Sequence, residues 1–413
     1  MKALLFPWHI GAGHLGRCIE FAKSIERHAG FAALICQNGT ATDTAQAPGA
    51  RAPAARSNNT AKYLVVPDLG AAWSQAGYYN AQRVRRDVRR DAALIDEHRP
   101  DVVVTHMQPT AVLAARQHGI PVISIADSDF LDEEDWSWMP WARDSGLRPP
   151  PYPDCLPALD TVAGELGLDP VGRPSRLNWG DATFVASAPS VEPAPAPPPG
   201  RPHAVHCGPL IWSDKDDRPA APPTPGRPQL YVSLGSGELW PGQVDELLTS
   251  TAQKLDAVVL RTSPDGPAAD TPWLRHVGFG TLTSVLETAD LVLTHGGHST
   301  LHAALGAGTP ALVAPLMSEN ENNGRVLLEE TGAGRCVWHT EVHGSELRFR
   351  DTSGNLHETA PLTPEALTDS ITAVLSDPSH GTTAQRLAQD LARLGQQQDE
   401  LITRTVLDLT SGR

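Results

Sequence analysis

Two histidine–glycine clusters hold most of the chemistry this sequence offers. His295, Gly296, Gly297, His298, Ser299 and Thr300 lie between the apolar run Asp290–Thr294 and a small-residue segment ending near Gly306–Gly308. The pattern predicts a strand, a glycine turn, and a helix opened by Ser299 and Thr300. A helix start presents unpaired backbone N–H groups and the positive end of a dipole. Glycines let the backbone approach a ligand closely, so the turn suits a phosphate or diphosphate. His295 can donate to a phosphate oxygen and offset the charge that grows as a diphosphate leaves. Alternatively it is a strand-end histidine bonded to a neighbouring carbonyl. A second turn of this type, Gly235, Ser236 and Gly237, follows the strand 229–234.

The early cluster is Gly11, Gly13, His14, Gly16 and Arg17, which follows the first strand and opens the first helix. Imidazole titrates near neutrality, so His14 can take a proton from a hydroxyl at physiological pH. The alternative is that it shapes the loop. Arg17, one turn on, can pair with a phosphate or a carboxylate, or be structural. Asp127 and Asp129 form a D-x-D tripeptide, a common sequence. No His, Cys or carboxylate spacing elsewhere suggests a metal site, so none is expected.

These groups need elements to hold them. Strand and helix patterns alternate along the chain, which implies parallel sheets covered by helices. Lys2–Pro7 is a first strand, and Leu15, Ile19, Ala22 and Ile25 mark one helical face. Strands are expected at 31–36, 63–67, 101–105, 121–126, 183–186 and 204–207, with a helix near 111–118. Residues 41–59 read as a mobile loop. The segment 132–157 carries Trp136, Trp138 and Trp141 among prolines, and reads either as a lid packed on the sheet or as a wall for an organic acceptor. A proline-rich linker, 213–228, separates a first domain, 1–212, from a second, 229–390. Later strands are expected at 256–261, 291–294 and 311–315, and an inserted hairpin at 342–361 with Asp351–Gly354 as its turn. A C-terminal helix, 391–413, is expected to return to the first domain.

The 413 residues suit two α/β domains. A net charge of −15 without a basic cluster argues against nucleic acid, and Arg83–Arg90 reads as a solvated helix face. No apolar run reaches the ~20 residues of a membrane span. Five scattered cysteines without C-x-x-C spacing fit a reducing cytoplasm. The chain lacks a G-x-S-x-G elbow and a P-loop, which disfavours a serine hydrolase and an ATPase.

From Gly278 to Gly334 the chain resembles the nucleotide-sugar signature of family 1 glycosyltransferases of the GT-B fold. The matching residues are His295, Gly296, Gly297, Thr300, Ala304, Leu305, Gly308, Pro310, Pro315, Glu319, Asn320, Asn323, Gly332 and Gly334. The resemblance implies two Rossmann-like α/β domains facing across a cleft. It implies that His295, Gly297, Ser299 and Thr300 hold the diphosphate, with Gly13, Gly235, Ser236, Gly296 and Asn323 beside them. Glu319 and Asn320 would contact the donor sugar and Phe279 the base. His14 would be the general base of a one-step, inverting transfer from a UDP- or dTDP-sugar to a hydroxyl or amine of a small acceptor, as in natural-product biosynthesis. The nucleotide sugar is a co-substrate; no other cofactor is implied.

The departures are specific. A ribose-binding Glu is replaced by Ala303, a Gln by Leu282, and the usual Asp-Gln by Glu319 and Asn320. Where part of the family has an Asp orienting the histidine, this chain has Val104, Thr105 and His106. Asp127 or Asp129 would substitute. Trp136, Trp138 and Trp141 would line the acceptor. A nucleotide-sugar hydrolase or 2-epimerase and a non-catalytic partner protein share the architecture. A homodimer is compatible with all of these.

Overall fold

Alternation along each strand sets the layers. In β1 (Lys2–Pro7) Leu4 and Phe6 enter one apolar cluster and Ala3 and Leu5 the other, because successive side chains point to opposite faces. The strands are therefore buried on both sides, as expected of a parallel sheet covered by helices. The computed structural model describes residues 1–8, 12–28, 30–44, 63–212, 224–234, 243–262, 270–277 and 282–411.

The first sheet contains β1, β2 (Ala32–Gln37), β3 (Thr40–Asp43), β4 (Val102–His106), β5 (Val122–Ala126), β6 (Ala182–Val185) and β7 (Val205–His206). Their order is β3-β2-β1-β4-β5-β6-β7, all parallel except β3. Helices α1 (Ala12–Glu26), α2 (Leu69–Gln75), α3 (Ala81–His98), α4 (Pro109–Gln117) and α5 (Leu156–Glu165) accompany it.

The second sheet has β8 (Gln229–Ser233), β9 (Val258–Thr262), β10 (Leu274–Val277), β11 (Leu291–Thr294), β12 (Ala311–Val313) and β13 (Gly334–Cys336), ordered β10-β9-β8-β11-β12-β13 and parallel throughout. Its helices are α6 (Val244–Leu255), α7 (Leu282–Leu286), α8 (His298–Ala307), α9 (Ser318–Asn323) and α10 (Pro364–Ser376). Both are doubly wound sheets whose strand order reverses once, and such sheets bind ligands at their carboxyl edges. The last helix, α11 (Pro378–Thr410), places Ala384, Leu387 and Leu391 in the second domain's core and Ile402 and Val406 in the first domain's. One continuous helix thus ties the two halves together. Among the described residues no helix is long and apolar enough to cross a membrane.

Three expectations change. The loop expected at 41–59 begins as strand β3. Asn38 and Gly39 both take positive φ, 51° and 82°, the form of a two-residue hairpin turn that an Asn-Gly pair favours. Residues 45–62 lie outside the described residues, as does most of the expected linker, 213–223. The segment 63–67 is not a strand of the first sheet. Leu64 instead bridges Met317 of the second domain, with Leu64 N–H on the Leu316 carbonyl at 2.8 Å. The inserted hairpin is a three-stranded meander that starts earlier: β14 (Trp338–His343), β15 (Glu346–Asp351) and β16 (Leu356–His357), with Asp351–Gly354 turning between the last two.

Candidate active site between the two sheets

The glycine turn after β11 leaves no room for side chains. Gly296 has φ +104°, and a Cβ there would sit 2.6 Å from the Asn320 carbonyl oxygen. A Cβ on Gly297 would sit 2.8 Å from the His295 ring. Asn323 closes the arrangement, its Nδ2 donating to the Gly296 carbonyl at 3.0 Å and to Glu319 Oε1 at 3.1 Å. The turn and the acid–amide pair lie more than twenty positions apart, and one side chain joins them. No side chain caps α8; the Thr300 N–H turns back on the Gly297 carbonyl at 3.1 Å, which leaves the N–H groups of His298 and Ser299 for a ligand. Ser299 and Thr300 are half-buried in this first turn, and the Asn320 Oδ1 is buried with no partner among the described residues.

Burial holds His295 down at about 4, so it is a neutral imidazole with one N–H to give. Glu319 is pushed the other way, up to about 7, by desolvation first and by the charge of Asp127 second. Ala303 packs in the second domain's core, so no carboxylate reaches a ribose from that position. Gly11, Gly235, Ser236 and Phe279 fall outside the described residues.

Across the cleft, α1 points its start at the start of α8. A Cβ on Gly13 would meet the Ser299 hydroxyl at 2.9 Å. His14 sits in the first turn of α1, half-buried, its ring 4.7 Å from that of His106. His106 occupies the strand end where the resemblance puts an aspartate.

Arg17 is only 3% exposed and is consumed by protein. It pairs with Asp127 and reaches His106 Nε2, at 3.1 Å, and His298 Nδ1. The ligand-binding option for Arg17 is therefore replaced by a structural one. Asp127, expected as the partner of His14, forms its ion pair with Arg17 and has His298 Nε2 at 3.5 Å.

The bonds fix the imidazole tautomers. His106 Nδ1 donates to the Ile125 carbonyl at 2.8 Å, so its Nε2 is the acceptor for Arg17. His298 accepts from Arg17 at Nδ1, so its Nε2–H donates to Glu192 Oε2 at 2.7 Å. His302 Nδ1 donates to the His298 carbonyl at 3.0 Å, and its Nε2 accepts from the Ser187 hydroxyl at 2.7 Å. Burial lowers all three imidazoles, His298 to about 3, which matches neutral rings.

Glu192, His298 and His302 place three ligand-type atoms within 4.8 Å of one another. The expectation that no metal-type spacing exists outside D-x-D missed this pair four residues apart on α8. Its lone pairs are nevertheless in use: a metal on His298 Nε2 would move the ring proton to Nδ1, directly against an Arg17 N–H. The residues fit a hydrogen-bond network better than a metal.

The tryptophans separate. Trp138 is 2% exposed, a core residue with its ring 5.5 Å from Phe130. Trp141 reaches the second domain, donating to Thr340 at 3.0 Å under the Arg325 guanidinium. Trp136 is half-buried at φ +64°. In this structure the acceptor-wall option fits neither Trp138 nor Trp141, whose indoles are already packed. Arg83, Arg86 and Arg90, expected on a solvated face, line a small cavity with Asp87 and Asp91.

Comparison with known proteins agrees with this geometry. Residues 260–366 match the model of the glycosyltransferase family 28 C-terminal domain. A solved spinosyn rhamnosyltransferase, SpnG, superposes with a TM-score of 0.67 at 18% identity over 98% of this chain and 100% of that one. The chain has the GT-B fold. Another SpnG structure, complexed with thymidine diphosphate, superposes on this GT-B chain with a TM-score of 0.59 at 20% identity, covering 95% of this chain and 96% of that one. Elloramycin glycosyltransferase ElmGT of Streptomyces olivaceus is 28% identical over 76% of this chain and 70% of its own length. A PGL/p-HBAD biosynthesis glycosyltransferase of Mycobacterium tuberculosis is 27% identical over 62% of this chain and 63% of its own length. The GT-B chain thus spans a little under two thirds of that relative.

Proposed function

We propose that this protein is a glycosyltransferase that moves a sugar from a nucleoside diphosphate sugar to a small-molecule acceptor. The observation that carries the reading is the Asn323 bridge, which joins the glycine turn at Gly296 to Glu319. It builds one cradle with an uncapped helix start for a diphosphate and an acid–amide pair for a sugar. The thymidine diphosphate bound by SpnG favours a dTDP-sugar, with UDP as the alternative. The names of ElmGT and SpnG favour a natural-product acceptor.

In this mechanism His14 takes the proton of an acceptor hydroxyl or amine. The freed lone pair attacks the anomeric carbon as the bond to the diphosphate breaks, inverting that centre. The negative charge that appears on the diphosphate meets the α8 N–H groups and the neutral His295 N–H. Closure of α1 on α8 excludes water. Mass spectrometry after incubation with dTDP- and UDP-sugars and a panel of acceptors tests the reading. Donor consumed equally fast without acceptor would instead identify a hydrolase or an epimerase. His14→Ala is expected to lower turnover at least ~100-fold, and near-normal turnover would remove His14 as the base.

A further inference from the structure

The segment that leaves β5 does not pack flat. Residues 132–135, Ser137 and residues 149–156, together with Pro67–Ala71 and Gly172–Ser175, line a cavity of about 600 Å³. One wall is apolar, with Pro149, Pro150, Pro151 and Pro153 beside Tyr152. Its charged groups are six carboxylates and Arg173. Glu133, Glu134 and Asp135 are matched by Arg176, Arg143 and Arg173. Asp68 is used by the backbone, its oxygens accepting the Ala71 and Trp136 N–H groups, while Asp132 and Asp154 form no ion pair among the described residues. Asp132 Oδ1 takes the Glu134 N–H and Asp154 Oδ1 the Leu156 N–H, each at 2.9 Å, which leaves their second oxygens open. Independently of the carboxylates, Ser175 lines the cavity at 4% exposure with a hydroxyl that has no partner among the described residues. A buried orphan hydroxyl is costly unless something fills the site.

We propose that this cavity binds an organic cation, an ammonium group on an apolar body. The uncompensated carboxylates and Ser175 accept the ammonium N–H bonds, while the prolines and Tyr152 cover the body. The wall connects to the chemistry through ring contacts: Trp138, whose backbone N–H holds the Pro67 carbonyl, has its ring 5.5 Å from Phe130, which lies 6.3 Å from His106, the neighbour of His14. Assigning the cation to the acceptor rests on the transferase reading; binding itself does not.

Calorimetry with tryptamine and its neutral N-acetyl derivative tests the proposal on the unmodified protein. Tryptamine is expected to bind at least tenfold tighter, with the advantage shrinking as salt is raised. Equal affinity, or no tryptamine binding, overturns it. The double variant Asp132→Asn, Asp154→Asn is expected to lose about tenfold in tryptamine affinity and Ser175→Ala about threefold. Unchanged affinity in the double variant also overturns it. A dTDP-induced rise in melting temperature, measured alongside, reports on the donor site alone. Its absence would refute the transferase reading while leaving the cation site standing.

Discussion

Two helix starts face each other across the cleft, and they are built on opposite principles. At α1 the arginine is spent on protein: Arg17 engages Asp127, His106 and His298. At α8 the helix lacks a side-chain cap, and the Asn320 Oδ1 beside it has no partner among the described residues. One start is fastened and the other is left open, as expected if the first carries the frame and the second a ligand. Breaking the fastened side should therefore cost stability first. Arg17→Met strands the buried Asp127 carboxylate and is expected to cost about 3–5 kcal/mol, read as a loss of melting temperature. Arg17→Met combined with Asp127→Asn should recover much of it. A single variant as stable as the parent would mean that the network is not what holds α1 in place.

The open side should respond differently. Gly296→Ala combines a φ of +104° with a Cβ 2.6 Å from the Asn320 carbonyl oxygen. The expected cost is about 2–3 kcal/mol, and dTDP should no longer raise the melting temperature at any concentration tried. Retained nucleotide binding would show that the turn is scaffold and not cradle.

Acid should loosen both sides together. His106, His295, His298 and His302 are held below the ordinary 6.5, His295 at about 4 and His298 at about 3. The unfolded chain therefore takes up protons first, and their contribution is full above 6.5 and lost as pH falls toward 4. Glu319 acts in the opposite sense. Raised from 4.5 to about 7, its protonated form favours the fold at low pH, an advantage lost as pH rises from 4.5 through 7. Four imidazoles outnumber the buried carboxyls held up, Glu319, Asp129 and Asp91, so the melting temperature should fall by several degrees between pH 7 and 5. Glu319→Gln should steepen that fall, because one of the opposing groups is gone. A flat profile from pH 7 to 5 would contradict the buried neutral histidines.

The same contrast explains what the sequence could disclose. The open start was legible because its parts lie in one stretch, His295 to Asn323, in a fixed order set by strand, turn and helix lengths. The fastened start was not. Arg17, His106, Asp127, Glu192 and His298 come from five separate places, and only the folded sheet edges bring them together. The four-residue spacing of His298 and His302 was a local signal for part of it. Leu64 illustrates the limit: its apolar run reads as a strand, but period and propensity say nothing about which sheet supplies the partner, and Met317 of the other domain does. The Asn38–Gly39 turn, by contrast, was a local hairpin signal present in the sequence from the start.

The contact between the two starts offers the finest test. Gly13 belongs to the fastened side and Ser299 to the open one, and the built Cβ of the first lies 2.9 Å from the hydroxyl of the second. Gly13→Ala meets the free end of a short side chain and not backbone, so Ser299 can rotate away. The fold should hardly notice, with a change of about 0.5 kcal/mol or less. The displaced hydroxyl, however, would no longer lie where the diphosphate is expected. The KM for the nucleotide sugar should rise roughly three- to tenfold with kcat nearly unchanged, the pattern of a lost ground-state contact. A fall in kcat at constant KM would place the effect in closure of α1 on α8 instead. The hydroxyl would then belong to the frame, and the line between the fastened and open sides would run through Ser299 itself.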